Sequence, residues 1–283
     1  MEIMQHGEQF LYFQQGGHHS LDWALSFADQ SVPKFCMRMT GGCANMTAAD
    51  SIGMRNLTRA LCGETSNKGG PTRQFAGFAL QGGTQMVSVH DTSEVVPGIT
   101  EILPVVARKC PNVRLLGLVA GFRCFKRNIK DPNLIDKLII ETSNGVHTII
   151  HPDMASVLLL QPNPDNKEHW DDEYKETHRT FTALHDQGYS TLNVAYNGGS
   201  VTERELKLWA YWGNRQPGLW NMLIIRDSGR ICSKYAEDEG FLREHPSIHV
   251  ADNNVDAIAE KLWELKATAE VRQDNVLTFR RRA

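Results

Sequence analysis

The sequence predicts an α/β fold of the Rossmann-like type, in which helices cover both faces of a mostly parallel sheet. Short apolar runs alternate with segments of helical period from Lys34 onward, the pattern of consecutive βα units. Glycine-containing turns follow several of these runs. With 283 residues, 41% of them hydrophobic, the chain can bury a large core. We therefore expect a single sheet of about six or seven strands.

The first half of this domain is predicted to hold three strands and two helices. Short apolar runs place the strands at residues 34–40, 75–81 and 113–119. A helix is expected over 47–62, where Ile52, Leu57 and Leu61 fall on one face. A second apolar stripe, between Ile99 and Cys110, indicates a helix that packs back on the sheet.

Residues 121–153 interrupt this alternation. The segments 137–141 and 147–151 have the pattern of two short strands, joined by a turn at Ser143-Asn144-Gly145. We interpret this region as a small β-hairpin inserted in the main domain.

The βα alternation resumes after the insertion. Strands are predicted at residues 156–160, 191–196, 220–226 and 248–251. Helices are predicted at residues 168–186, 202–212, near 231–243 and at 255–269. The resulting organisation is an N-terminal extension (1–33) with an edge strand at 10–15, the Rossmann-like domain (34–270) and a basic tail (271–283).

Composition argues against several classes of partner. A formal net charge of -3 gives no sign of a nucleic-acid-binding surface. No apolar stretch approaches the roughly 20 residues that a membrane-spanning helix needs, and the first 30 residues lack a basic, apolar secretory leader. The six cysteines are widely spaced, so we expect free thiols in a reducing cytoplasm. Neither a metal nor a cofactor is expected, and we expect the protein to form a homo-oligomer.

The candidate binding residues lie at three glycine junctions that follow predicted strands and precede helices. In open α/β sheets, helix N-termini at the carboxyl ends of strands bind anions through free N–H groups. The junctions are Gly82-Gly83-Thr84, then Gly198-Gly199 with Ser200 and Thr202 as possible helix caps, and Ser228-Gly229-Arg230. A fourth and weaker one is Gly41-Gly42. A Gly-Gly after a strand is more often a tight structural turn than a ligand site, and Arg230 is equally compatible with an ion pair to Asp227 or Glu237.

Taken in order, these junctions resemble the SLOG superfamily over about residues 34–270. The matching segments are Thr40-Gly41-Gly42, Gln81 to Thr84, Asn197 to Glu205, and Ile224 to Arg230. The resemblance is closest to the branch related to the cytoplasmic N-terminal domain of melastatin-type TRP channels. It implies a Rossmann-like fold and recognition of a nucleotide or nucleotide-derived signal, often by a sensor without chemistry of its own.

A sister branch, the lonely-guy phosphoribohydrolases, suggests an enzymatic alternative. Those enzymes release the base of a nucleoside monophosphate with an arginine and the glutamate of a Gly-Gly-x-Gly-Thr-x-x-Glu motif. Residues 198–205 are similar to that motif, but Val201 replaces its third glycine. The resemblance makes Glu205 the candidate catalytic residue, although a carboxylate there is equally suited to a helix-surface role beside the helix dipole. A non-catalytic interaction module is the second alternative.

Overall fold

Parallel hydrogen bonding dominates the computed structural model, which describes residues 2–14, 34–42, 48–64, 75–82, 84–85, 99–126, 137–143, 145, 147–162 and 170–266. The strands are β1 (Glu2–His6), β2 (Gln9–Gln14), β3 (Phe35–Gly41), β4 (Gly77–Gly82), β5 (Thr84–Gln85), β6 (Val113–Val119), β7 (Phe122–Phe125), β8 (Ile139–Thr142), β9 (His147–Ile150), β10 (Ser156–Leu160), β11 (Ser190–Tyr196), β12 (Asn221–Ile225) and β13 (Ile248–Ala251). The helices are α1 (Ala48–Leu61), α2 (Ile102–Lys109), α3 (Trp170–Asp186), α4 (Ser200–Arg215), α5 (Arg230–Ala236), α6 (Glu239–Glu244) and α7 (255–266).

The main sheet has nine strands in the order β1-β2-β10-β6-β4-β3-β11-β12-β13. Every neighbouring pair is parallel except β1 with β2. The chain builds outward from β3 through β4, β6 and β10, and then returns to place β11 on the other side of β3. This reversal between β3 and β11 is a topological switch point, where ligands bind in open α/β folds.

Helices cover both faces of the main sheet, as predicted. Side chains of α1, α2 and α7 pack in one hydrophobic cluster with Met37 of β3. Side chains of α3, α4 and α5 pack in a second cluster with Cys36 of the same strand. Because successive strand residues point to opposite faces, the two clusters lie on opposite sides of the sheet. The α/β prediction of a mostly parallel sheet between two helical layers is therefore confirmed.

The N-terminal residues differ from the expectation of a separate extension with an edge strand. Residues 2–14 form β1 and β2, which belong to the main sheet. β2 pairs with β10, with Leu11 opposite Val157, and β1 occupies the edge. The βα alternation predicted seven parallel strands. With β1 and β2 the sheet has nine strands.

Two local details also differ from the predicted elements. The helix expected near 231–243 is two helices, α5 and α6, because the Asp238 side chain accepts a hydrogen bond from the Phe241 N–H and starts a new helix. The predicted hairpin is present as β8 and β9, but it forms part of a four-stranded antiparallel sheet in the order β5-β9-β8-β7.

The described cysteines are free thiols, as predicted. Cys36, Cys62, Cys110 and Cys232 are buried, whereas Cys124 is exposed. Burial raises the pKa of the Cys232 thiol to about 12, and the same cause raises that of Cys62 to about 12. Both thiols are therefore protonated at neutral pH and act as apolar core residues. Among the residues described, no helix has the length and apolar character needed to cross a membrane.

Candidate functional site

A cavity of about 510 Å³ lies at the switch point, over the carboxyl ends of the central strands. It extends from Arg230 and Gly199, which follow β12 and β11, across the ends of β3, β4 and β6, and it reaches the small sheet at Thr142 and Thr148. This volume falls in the usual range of roughly 300–1,000 Å³ for small-molecule sites. The position and the size together make this cavity the candidate functional site.

The structure brings most of the predicted site residues to this one cavity. Those that line it are Gly41, Gly42, Gly82, Gly199, Ser200, Thr202, Glu205 and Arg230. Gly198, Ser228 and Gly229 do not line it. Gly83 falls outside the described residues, and of Thr84 only the backbone is described.

Gly198 has a structural reason to be glycine. Its φ is +99°, and a methyl group added to it would lie 2.3 Å from Oγ1 of Thr202. Thr202 is buried beneath it. Gly198 therefore shapes the turn between β11 and α4, and the lining position belongs to Gly199.

The prediction that Ser200 or Thr202 caps α4 is wrong. The N-cap residue is Gly199, and no side chain caps the helix. The first intrahelical backbone bond runs from the Glu203 N–H to the Gly199 carbonyl, at 2.9 Å. The N–H groups of the first turn consequently have no side-chain cap and lie beside the cavity, where they can bind an anion.

Ser228 connects the ends of β11 and β12. The Ser228 hydroxyl accepts a hydrogen bond from the Asn197 N–H at 2.9 Å and donates one to the Ile225 carbonyl at 2.7 Å. At the start of α5, the Cys232 N–H donates to the Asn197 carbonyl at 3.2 Å. Ser228 is completely buried. Ser228 and Cys232 thus join the β12–α5 turn to the β11–α4 turn, and neither Ser228 nor Gly229 lines the cavity.

The β12–α5 turn brings the guanidinium of Arg230 to the start of α4. A methyl group added to Gly199 would lie 2.8 Å from its Nη2, and one added to Gly42 would lie 3.7 Å from its Nη1. No ion pair within 4.0 Å joins Arg230 to Asp227 or Glu237, although the structure describes all three residues. The guanidinium therefore faces the glycine backbone at the cavity.

The backbone of Arg230 is left-handed, with φ of 46°. Within the described part of the chain, the other non-glycine residues with positive φ are Asn197 (58°) and Asp227 (53°), at the ends of β11 and β12. Such conformations cost free energy, of the order of 1–3 kcal/mol each, and they concentrate at functional sites. The strain here is confined to the two turns that hold Arg230 at the cavity.

The inner end of the cavity holds a buried charge cluster of Arg38, Glu173 and Glu205. Arg38 Nε donates to Oε1 of Glu205 at 2.6 Å, and its Nη2 donates to Oε1 of Glu173 at 2.7 Å. Burial alone lowers the pKa of Arg38, but the charges and hydrogen bonds of the two carboxylates raise it above its ordinary value. Arg38 is thus permanently charged and holds both carboxylates in place.

Only one carboxylate oxygen of Glu205 accepts a hydrogen bond from Arg38. The hydrogen bonds from Arg38 and from Asn193 Nδ2 (3.5 Å) both reach Oε1. Oε2 is therefore the oxygen available to a molecule in the cavity. The alternative of a helix-surface carboxylate is wrong, because Glu205 is only 4% exposed.

Sequence reasoning missed Arg38 and Glu173. The signal for Arg38 was a single charge within the apolar run Phe35–Gly41, since a charge in a strand buried on both faces needs a partner. Glu173 belongs to the acidic first turn of α3, a pattern that usually indicates a solvated surface. Here its side chain is buried against Arg38.

The Gly82-Gly83-Thr84 junction differs from the expected helix start. β4 ends at Gly82, and Thr84 begins β5, where it pairs with Ile150 of β9. This junction leads into the small sheet, so it offers no helix N-terminus directly after β4. No described atom lies within 4 Å of a methyl group added to Gly82, so its missing side chain leaves open space in the cavity.

Within the described ranges, no group of three or more histidine, cysteine or acidic side chains is placed to hold a metal ion. The chain matches no protein-family model and no curated protein. The function has to be argued from the geometry of the cavity.

Proposed function

We propose that the switch-point cavity binds a nucleotide or a nucleotide-derived ligand, as the SLOG-like resemblance implies. One observation carries the proposal. Arg230, held on a strained backbone, faces Gly42 and Gly199 at the uncapped start of α4. A guanidinium, free N–H groups and a positive helix dipole at one point together favour a phosphate group.

The glycines support this assignment through the space they leave. At Gly199, even one methyl group would approach the Arg230 guanidinium to 2.8 Å. A phosphate can therefore reach both the backbone and the guanidinium only when no side chain is present. We assign the phosphate to this end of the cavity.

The rest of the cavity suits a nucleoside. Met39, Ile99 and Val119 line it on one face of the sheet, and Leu118 lies on the opposite face with the charged cluster of Arg38, Glu173 and Glu205. Apolar walls with a few convergent polar groups are typical of small-molecule sites. Ribose hydroxyls can donate hydrogen bonds to Glu205 Oε2, while the base packs on the apolar walls.

Thermal denaturation with a panel of nucleoside mono-, di- and triphosphates tests the proposal. A ligand at a hundredfold excess over its Kd adds about 2.7 kcal/mol to the free energy of unfolding, so one class of nucleotide is expected to raise the melting temperature. If no member of the panel changes it, the cavity does not bind nucleotides and the interaction-module alternative is favoured.

We expect Arg230→Lys to weaken nucleotide binding by about tenfold or more, because lysine keeps the charge but loses the paired hydrogen bonds of the guanidinium. The melting temperature of the ligand-free protein should stay unchanged, since Arg230 is exposed and has no carboxylate partner within the described chain. Titration calorimetry and ligand-free melting measure the two effects. Unchanged affinity would remove Arg230 from the binding site.

A nucleoside monophosphate N-glycosidase is the second candidate, favoured by the position of Glu205. In that reaction the bond from C1′ to the base nitrogen breaks, water supplies the new C1′–O bond, and its remaining proton balances the released base. An ionised carboxylate stabilises the positive charge that develops on the ribose. Glu205 lines the cavity, and Arg38 donates its hydrogen bond to Oε1, which leaves Oε2 for the ribose.

Base release from nucleoside monophosphates, followed by chromatography, separates this enzyme from a sensor. If the wild type releases base, we expect Glu205→Gln to slow release by about 10²–10⁴-fold while nucleotide still binds, because glutamine keeps the shape but not the charge. Binding without base release by the wild type would identify a sensor.

We also propose a cytoplasmic location, which the five free thiols among the described residues support because reduced cysteines persist in a reducing compartment.

A further inference from the structure

Gln81 has a buried hydrogen-bond acceptor without a partner. It is the residue before the last of β4, it is 2% exposed, and it lines the cavity. Its Nε2 donates to the Thr100 carbonyl at 2.7 Å, whereas Oε1 has no hydrogen-bond partner in the described part of the chain. A buried amide oxygen left unpaired costs free energy, so this atom indicates a missing donor.

The orientation of this amide is determined by Thr100. A backbone carbonyl only accepts hydrogen bonds, so the NH₂ group of Gln81 must face it. If the amide turned over, two oxygens would face each other, and the bond to Thr100 would be lost. The unpartnered atom of Gln81 is therefore an acceptor, and the amide cannot exchange it for a donor.

The surroundings of Gln81 have the character of a base-binding pocket. Met39, Ile99 and Val119 line the cavity and belong to the hydrophobic cluster on the same face of the sheet as Gln81. Flat, apolar bases pack well on such side chains, and their edges carry the hydrogen-bonding groups. The pocket thus combines apolar walls with one directed acceptor.

Gln81 and Arg230 line the same cavity from different strands. The Arg230 guanidinium lies beside Gly42 and Gly199, which follow β3 and β11, whereas Gln81 belongs to β4, the neighbour of β3. A ligand with its phosphate at Arg230 can therefore extend across the strand ends toward Gln81.

We propose that Gln81 selects the base by accepting a hydrogen bond from an exocyclic amino group. This inference rests on the proposed function of the cavity. Adenine and cytosine present an amino group where hypoxanthine and uracil present a carbonyl oxygen, which Gln81 Oε1 would repel. The cavity accordingly prefers adenine or cytosine nucleotides over their keto counterparts.

Titration calorimetry of the wild-type protein with adenosine and inosine monophosphates, and with cytidine and uridine monophosphates, tests this selection. In whichever pair binds, the nucleotide with the amino group should bind at least about tenfold more tightly. The nucleotide with the keto group would leave a buried acceptor unpaired. Equal affinities, or a preference for the keto member, would overturn the inference alone. Absence of binding by all four, and by the wider nucleotide panel, would overturn the proposed function with it.

The variant Gln81→Met removes the acceptor and keeps the length of the side chain. We expect the amino and keto members of the pair to bind this variant with affinities within about threefold of each other. Gln187→Met is the matched control, since Gln187 is an exposed glutamine that does not line this cavity, and it should keep the wild-type preference. Preserved discrimination in Gln81→Met would assign the selection to another residue.

Discussion

Arg38→Met is expected to lower the free energy of unfolding by about 3–5 kcal/mol, a loss typical of breaking a buried ion pair. The substitution leaves Glu173 and Glu205 buried at the inner end of the cavity without the guanidinium that pairs with both. Methionine fills a similar volume, so the loss reflects uncompensated charge and not a void. Urea denaturation at neutral pH measures it.

The matched control is Arg204→Met. Arg204 also pairs with an acidic residue of α3, Asp171, but its side chain is 45% exposed. Exposed pairs contribute about 0–1 kcal/mol, so this variant should be nearly as stable as the wild type.

A rescue experiment separates charge from packing. If charge is responsible, adding Glu173→Gln and Glu205→Gln to Arg38→Met should restore most of the lost stability, because no uncompensated carboxylate remains in the cluster. If Arg38→Met lowers the free energy of unfolding by no more than Arg204→Met does, Arg38 does not stabilise the two buried carboxylates.

The fold was predictable because each βα unit carries its own local pattern. β3, buried along Phe35–Thr40, appears as a short apolar run that contains one charge, Arg38, and α7 shows Val255, Ile258, Leu262 and Leu265 on one face. The partner of β2 was not predictable in this way. It pairs with β10, so that Leu11 lies opposite Val157, and no local pattern specifies a partner so distant in the chain.

The site was predictable in its location but not in its chemistry. Strand order places the glycine junctions together, since the carboxyl ends of parallel strands share one edge. Arg38, in contrast, pairs with carboxylates that lie 135 and 167 residues further along the chain. Only the packing of α3 and α4 on the sheet makes those contacts.

Similar glycine motifs also have different roles that the sequence does not distinguish. Gly198 and Gly82 both follow an apolar strand, but a methyl group at Gly198 would meet Thr202 at 2.3 Å, whereas at Gly82 it would meet open space. The first glycine is required by the turn and the second leaves room in the cavity. This difference provides a direct test of the cavity.

Gly82→Leu is expected to reduce nucleotide affinity by about tenfold to a hundredfold without lowering the stability of the ligand-free protein. Gly82 ends β4 outside the left-handed region of φ, so leucine is compatible with its backbone. The new side chain enters the cavity and competes with the ligand for its volume. Calorimetry with the nucleotide that most stabilises the wild type measures the affinity, and ligand-free melting measures the stability.

Gly240→Leu is the control for adding a leucine at another glycine. Gly240 lies in α6, does not line the cavity, and a methyl group there would lie 3.4 Å from a side-chain oxygen of Asp238, so nucleotide affinity should be unchanged. The test is the difference in nucleotide affinity between the two leucine variants. If Gly82→Leu binds the nucleotide as tightly as Gly240→Leu does, the ligand lies outside the cavity, and the roles assigned to Arg230 and Gln81 fall together.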